Sequence, residues 1–379
     1  MNNVLDIKNN CTGCGVCSII CPLSCIDIKC SEQGFYRPVV NENECIKCGL
    51  CKRVCYKFFY NNFDNSIEKS KAYLSYSKNE DNRFNSSSGG VGRELCYYAI
   101  NNNYEVCGVE YDYSKDIAKH IIVKESSDIS KISKSKYLPS YTEAAFKNLD
   151  KDKKYLVVGS PCQIYGLRKY MEINGLNNLI LVDFFCHGAP SLNLWKKYLE
   201  MIKDKYDIDN ITQIDFRDKS NGWHNFSMKI QGDKNVYKKS HKEDRFFNFF
   251  LMNLDLDESC INCKLRFNQI YSDVRLGDFW GPKCQQDESG VSIVLSNTDL
   301  GGKVLRSINN IVLEEITFEE LKVSQYIEKL NQPKESVEVK RQLQGRKKLQ
   351  TIYNEVIIPM KIKRKITNKV NSIKRISKK

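Results

Sequence analysis

The sequence predicts a small α+β domain over residues 1–62, an α/β domain over residues 63–335 and a basic helical C-terminal tail over residues 336–379. Three observations predict this division. Two cysteine runs of one spacing stand near the amino end, strand and helix signals alternate through the middle, and Lys and Arg concentrate at the far end.

The first run is Cys11, Cys14, Cys17 and Cys21, followed by Pro22, and the second is Cys45, Cys48, Cys51 and Cys55. Both read C-x2-C-x2-C-x3-C, the spacing of a bacterial two-cluster ferredoxin, in which the fourth cysteine of each run ligates the other run's cluster. By that rule Cys11, Cys14, Cys17 and Cys55 hold one [4Fe–4S] cluster, and Cys45, Cys48, Cys51 and Cys21 hold the other. Crossed ligation leaves neither half able to hold its cube alone, so residues 1–62 are expected to fold as one unit. A zinc ribbon is the alternative, and two four-member runs fit paired clusters better. Tyr56 stands where the second run lacks the proline that follows Cys21, which changes a local turn and leaves the ligand set intact.

The remaining cysteines are Cys25, Cys30, Cys96, Cys107, Cys162, Cys186, Cys260, Cys263 and Cys284, out of 17. An odd total in a long chain does not read as a disulfide framework. The opening MNNVLDIKNN has no apolar core of a signal peptide, and no apolar run reaches the roughly 18 residues that span a bilayer. The expected location is cytoplasmic. Cys25, Cys30, Cys96, Cys107 and Cys284 are expected to be buried thiols.

The net charge of +13 is unevenly placed: from Lys340 to Lys379 the only acid is Glu355, and residues 1–339 are balanced. Ile362, Ile366, Val370 and Ile373 recur at three- and four-residue intervals among the basic residues, so a helix there is amphipathic. Two readings are open: a helix lying on an anionic membrane at its inner face, or a solvated or partner-docking tail. Nothing in the body supports nucleic-acid recognition.

After a polar link (Asn61, Asn62, Asp64, Asn65, Ser66), strands are expected at Val106–Val109, Tyr155–Val158, Leu179–Phe184, Ile211–Phe216 and Phe226–Ile230. Helices are expected at Val91–Ile100, Thr142–Leu149, Gln163–Ile173, Leu192–Ile202 and Phe318–Glu328. The alternation indicates an α/β layer architecture.

Three segments of this body carry chemistry. Ser86-Ser87-Ser88-Gly89-Gly90 enters a helix, where hydroxyls and unhindered amides suit a phosphate, although such a string also suits a plain loop. In Leu156-Val157-Val158-Gly159-Ser160-Pro161-Cys162 a strand ends, Ser160 caps a helix and Pro161 opens it. The next strand ends at Cys186-His187-Gly188, and parallel sheets gather functional groups beyond their carboxyl ends. Cys260-Ile261-Asn262-Cys263 precedes Gly277-Asp278-Phe279-Trp280-Gly281, and the pair needs two further ligands, for which Cys162 and Cys186 are the candidates. From spacing alone a redox dithiol, a four-thiolate zinc site and a third [4Fe–4S] cluster all remain open.

Taken together, SSSGGVG, SKSKYLPS, VVGSPCQIYGLRKY, VDFFCHGAPSLNLW, FRDKSNGW, SCINCKLRF and SDVRLGDFWG resemble the coenzyme F420 hydrogenase/dehydrogenase beta-subunit family across residues 86 to 281. The resemblance implies an α+β ferredoxin-like dicluster domain fused to an α/β flavin-binding domain. It implies a flavoprotein oxidoreductase in which FAD accepts hydride from a reduced deazaflavin or another hydride-carrying coenzyme and passes single electrons to iron–sulfur clusters. It also implies a third [4Fe–4S] cluster on Cys162, Cys186, Cys260 and Cys263, and an FAD site including Ser87, Ser88, Gly89, Gly90, Lys136 and Tyr137. Lys136 and Arg217 would steady a flavin anion or phosphate, or be ordinary surface cations. His187 would orient the site or shuttle a proton, or be structural, and His224 beside Trp223 has the same two readings. One departure is Gly92, where the family often carries an aromatic residue after the valine. The SSGG, FRDK-GW and GDFWG forms resemble a subgroup found beside surface-polysaccharide genes, which leaves the electron donor open. Two other functions compete: a two-cluster electron carrier or scaffold with no substrate of its own, and a reductase tailoring surface-polysaccharide precursors.

Overall fold

The computed structural model describes residues 2–59, 65–266, 268–325 and 330–376. Asn61, Asn62, Asp64, the boundary at residue 62, the far end of the expected Phe318–Glu328 helix and the last three residues of the tail lie outside them.

The two cysteine runs fold by one local device. Each wraps into a short helix, Val16–Ile19 and Leu50–Arg53, entered through a glycine in the left-handed region, Gly15 at φ 81° and Gly49 at φ 78°. An L side chain is strained there, so the x positions of the motif are as constrained as its cysteines. A hairpin of β1 (Ile26–Cys30) and β2 (Tyr36–Val40) closes this unit, pairing Ile26 with Val40 and Cys30 with Tyr36.

The rest is built on a mixed sheet of nine strands. They are β3 (Lys71–Ser77), β4 (Glu105–Asp112), β5 (Ile117–Val123), β6 (Ser140–Tyr141), β7 (Tyr155–Val158), β8 (Leu179–Phe184), β12 (Val274–Asp278), β13 (Ser292–Ser296) and β14 (Ile311–Ile316). Their order is β14-β3-β13-β12-β8-β7-β4-β5-β6, with the central run β12-β8-β7-β4 parallel. A separate antiparallel sheet takes β9 (Ile211–Asp218), β10 (Ser227–Gly232) and β11 (Val236–Ser240). The architecture is therefore mixed α/β. The expected strands and helices of the body all form, with Leu192–Tyr206 and Ile211–Asp218 longer than expected and Thr142–Leu149 trimmed to Glu143–Lys147. The helix from Phe318 runs to Ser324 within the described residues.

At the middle of the large sheet, neighbouring parallel strands pair Arg275 with Asp183. Arg275 Nε donates to Asp183 Oδ1 at 2.8 Å and Nη2 donates to Oδ2 at 2.6 Å, and the side chains are 0% and 1% exposed. Arg275 also reaches Leu265 O at 3.1 Å, which ties the loop carrying Cys260 and Cys263 to the strand ends.

The amino-terminal unit does not stand clear of this body. One core holds Val16, Ile26, Ile28 and Val54 together with Ile164, Leu167, Leu179 and Leu181. A Cβ on Gly166, in the helix Pro161–Asn174, would meet Val16 Cγ2 at 2.7 Å, so the two helices touch where only glycine allows it. Ile28 N donates to Glu143 Oε2 at 2.9 Å, Thr142 Oγ1 donates to Cys14 O at 3.1 Å, and Arg37 pairs with Asp257 at 2.8 Å.

The tail also begins later than charge alone places it. Val339, Leu343, Leu349, Ile352 and Ile357 are buried against Trp195, Tyr198 and Phe249, because their apolar spacing fits the face of the helix Leu192–Tyr206. Only the helix Ile358–Ile376 departs, with Ile362 and Ile366 54% and 59% exposed. Among the described residues no helix is long and apolar enough to cross a membrane.

Candidate metal and cofactor centres

The structure sorts the cysteines into three groups. Burial raises the Cys14 thiol to about 12, reinforced by neighbouring Cys55 and Cys11. Cys17 is pushed further by burial and then by Cys14, Cys11 and Cys55. These are the four residues that crossed ligation assigns to one cluster, and Cys55 arrives from the second run. In the other group Cys21, Cys45, Cys48 and Cys51 line one cavity, the arrangement crossed ligation requires there too. Cys25 is a fifth thiol in that cavity, its Sγ 3.4 Å from that of Cys21.

The third group comes from the strand ends. Ser160 opens the helix Pro161–Asn174 in a capping box with Gln163, whose Oε1 accepts from Ser160 N at 2.8 Å. The Ser160 hydroxyl lies 3.2 Å from Cys162 Sγ. Burial raises Cys162, with Cys14, Cys263 and Cys186 adding to the effect. Cys186 is raised to about 11 by burial, opposed by Arg266 and Arg275 among others. Cys260 is raised well above its ordinary range by burial, Asp257, Cys186 and Cys263. The first and third groups thus hold thiols that repel one another as thiolates and gain from a cation among them. Among the described residues no three His, Cys, Asp or Glu side chains close around a single ion. Four thiols spread wider than that suit the corners of a cube better than one zinc, so the donor sets fit [4Fe–4S] clusters.

Cys14 and Cys55 of the first group act on Cys162 of the third, so these two groups are neighbours. Of the unassigned cysteines, Cys25, Cys96, Cys107 and Cys284 are buried as expected. Cys30 is exposed instead, because it ends β1 on the face of the hairpin turned to solvent.

A second site gathers on the other side of the strand ends. Ser87 Oγ accepts from Ser135 N at 2.8 Å, which joins the serine–glycine loop to the Lys136-Tyr137 loop. Lys219 Nζ donates to Arg83 O, Ser88 O and Ser289 O at 2.5, 3.0 and 2.6 Å. Arg217 Nη1 donates to Asp278 Oδ2 at 2.7 Å, and the Trp223 ring stacks on Trp280 at 4.3 Å. Arg217 Nε and Nη2 and Asp278 Oδ1 are buried with no hydrogen-bond partner among the described residues. Burial brings Lys219 down to about 7, helped by Arg217, Arg83 and Lys134. Lys136 reaches about 7 for the same first reason, its ammonium donating only to carbonyls, Ser133 O at 2.6 Å and Lys131 O at 3.4 Å. Buried cations with unused donors fit a phosphate-bearing cofactor.

The predicted residues differ in what they can offer. Gly89 faces inward, since its amide donates to Ser292 Oγ at 3.0 Å and a Cβ would meet Ser75 O at 2.7 Å. Gly90, at φ 89°, leads into the helix Val91–Asn101. Gly92 is required by packing: a Cβ there would lie 3.2 Å from Leu276 Cδ1, leaving no room for the family's aromatic residue unless Leu276 shifts. His187 is anchored to Asn253 Oδ1 at 2.7 Å, and His224 lies 3.3 Å from Glu288 at the rim of the tryptophan pair. Lys134, Lys219 and Asp278 were not singled out from sequence. The two sites share an aromatic link, because the Phe250 ring lies 5.3 Å from that of Tyr137 and 4.8 Å from that of His187, next to Cys186.

Residues 152–322 match the family model for the C terminus of the beta subunit of coenzyme F420 hydrogenase/dehydrogenase. The chain is a coenzyme F420 hydrogenase/dehydrogenase beta-subunit-like protein. The matched segment contains Cys162, Cys186, Cys260 and Cys263 along with Arg217, Lys219 and Asp278. This beta-subunit-like protein is 24% identical over 366 residues to the coenzyme F420-dependent sulfite reductase of Methanocaldococcus jannaschii, a match covering 90% of the chain and 52% of that protein. The chain thus spans about half the length of that curated relative. It is also similar to a chain of the F420-reducing [NiFe] hydrogenase complex from Methanosarcina barkeri, with TM-score 0.46 and 16% identity, over 77% of this chain and 93% of that one.

Proposed function

We propose that the chain is an iron–sulfur flavoprotein oxidoreductase that passes electrons between a hydride donor, reduced coenzyme F420 or another hydride carrier, and [4Fe–4S] clusters. The observation that carries this reading is the adjacency of the cation-lined site, through Phe250, to the Cys186 group, and of that group to Cys14 and Cys55. FAD, when bound, would convert the electron pair of a hydride into the single electrons a cluster accepts. Ser87, Ser88, Gly89, Gly90, Lys136, Tyr137, Arg217 and Lys219 would form its site, with the cations meeting its phosphates. Asp278 keeps Arg217 in place, and the buried aromatic wall of Phe216, Phe247 and Phe250 around Tyr137 keeps water from that side. The name of the M. jannaschii relative supports F420 as donor. Anaerobic purification followed by iron, sulfide and flavin assay tests the reading: about twelve iron atoms with one FAD support it. About eight iron atoms and no flavin after reconstitution would instead make the chain a two-cluster carrier or scaffold.

The cation site predicts a pH dependence. Lys136 and Lys219 are charged below about pH 7 and neutral above it. A bound phosphate favours the charged forms, so flavin affinity is expected to be high at pH 6.5 and to fall by roughly tenfold or more by pH 9. Equilibrium binding of FAD to the cluster-loaded apoflavin chain at the two pH values reads this directly. Equal affinity would separate flavin binding from these lysines.

We further propose that the helix Ile358–Ile376 makes peripheral contact with anionic membrane, its exposed Ile358, Ile362 and Ile366 lying among Lys361, Lys363, Arg364 and Lys365. Removing Met360–Lys379 is expected to abolish sedimentation with anionic vesicles. Undiminished association would sink the idea.

A further inference from the structure

The residue that breaks the symmetry of the two cysteine runs has a definite place in the structure. Tyr56 follows Cys55 directly and is 1% exposed. Its phenolic oxygen donates to Cys263 Sγ at 3.4 Å, across from the first thiol group to the third. The contact is held from several sides. The Tyr56 ring meets Tyr165 edge-on at 6.0 Å, and Tyr165 meets Tyr271 at 4.7 Å. Lys57 Nζ sits 4.8 Å over the Tyr56 ring while donating to Ser259 O at 3.0 Å, beside Cys260. Tyr56, Tyr165, Tyr271, Leu265, Cys263 and Cys162 form one small buried cluster. Proline, which follows Cys21 at the matching place in the first run, has neither the reach nor a donor for this contact.

We propose that Tyr56 is a positioning residue that locks the Cys55 group against the body group and raises the reduction potential of a cluster held by Cys162, Cys186, Cys260 and Cys263. This rests on the reading of those four cysteines as cluster ligands. Hydrogen bonds to ligand sulfur favour the more electron-rich reduced state, and they are among the factors that set cluster potentials. The O–H of Tyr56 is aimed at one ligand sulfur of the body group, so the effect falls on one cluster of three.

The test is Tyr56→Phe, which keeps the ring and removes the O–H, in the full chain purified anaerobically with its clusters. Iron is counted first, and each cluster's midpoint is then followed by electron paramagnetic resonance in a redox titration. With about twelve iron atoms in both proteins, one midpoint is expected to fall in Tyr56→Phe by an amount on the order of a tenfold change in equilibrium constant, about 59 mV for one electron. The other two midpoints stay in place. Three unmoved midpoints with the iron retained overturn the proposal. Loss of about four iron atoms from the variant alone overturns it as well, since the residue then holds the site together rather than setting its potential. About eight iron atoms in the unsubstituted chain would refute the body-cluster reading itself, a failure separable from the other two.

Discussion

Cys260→Ser is expected to lower the iron content of the anaerobically purified chain from about twelve atoms to about eight, one cube's worth. The substitution is close to isosteric, and the short helix Glu258–Ile261 that carries Cys260 keeps its cap, since Asp257 still accepts from Ser259 N at 2.9 Å. Asp257 also keeps its pairing with Arg37, so the amino-terminal unit stays docked. The thiols of the other two groups lie on other segments and should hold their iron. Cys30→Ser, on an exposed thiol outside every group, serves as the control with no change expected. Unchanged iron in Cys260→Ser would remove Cys260 from the ligand set.

The second large effect lies in the sheet. Asp183→Leu leaves the guanidinium of Arg275 buried without its carboxylate, and breaking a buried pair in this way is expected to destabilise the fold by about 3–5 kcal/mol. Ser272 Oγ also loses its acceptor, having donated to Asp183 Oδ1 at 2.8 Å. The double substitution Asp183→Leu with Arg275→Met removes both charges and should recover most of the loss, because the penalty comes from the stranded cation. Anaerobic chemical denaturation of the three proteins, with iron retention followed alongside, would show a large drop for the single variant and a small one for the double. Equal midpoints would mean the pair is neutral to stability.

Much of this architecture is legible in the residues, for reasons that also mark where the reading fails. Tyr155–Val158 and Leu179–Phe184 are short apolar runs buried in the sheet centre, so their bounds come directly from composition. The strand Val274–Asp278 lies beside them but carries Arg275, Gly277 and Asp278, and nothing local says that the arginine will be buried against Asp183. Lys71–Ser77 and Ile311–Ile316 pair antiparallel with partners far away in the chain, a relation that local periodicity does not contain. Cysteine spacing announced the three groups because ligation chemistry fixes it. Lys219 looks like any surface lysine until its burial and three carbonyl partners are seen. Tyr56 was legible as a missing proline, and its contact with Cys263, over two hundred positions away, was not.

The glycine contact between Val16 and the helix at Gly166, with the core shared across it, has a kinetic consequence. A carrier domain on a flexible tether must dock, react and release, so its transfer rate follows ionic strength and viscosity. Here the amino-terminal unit is already seated, and transfer between its cysteine groups and the body is a first-order event within one rigid solid. Salt and crowding would then act only where an outside donor or acceptor meets the surface.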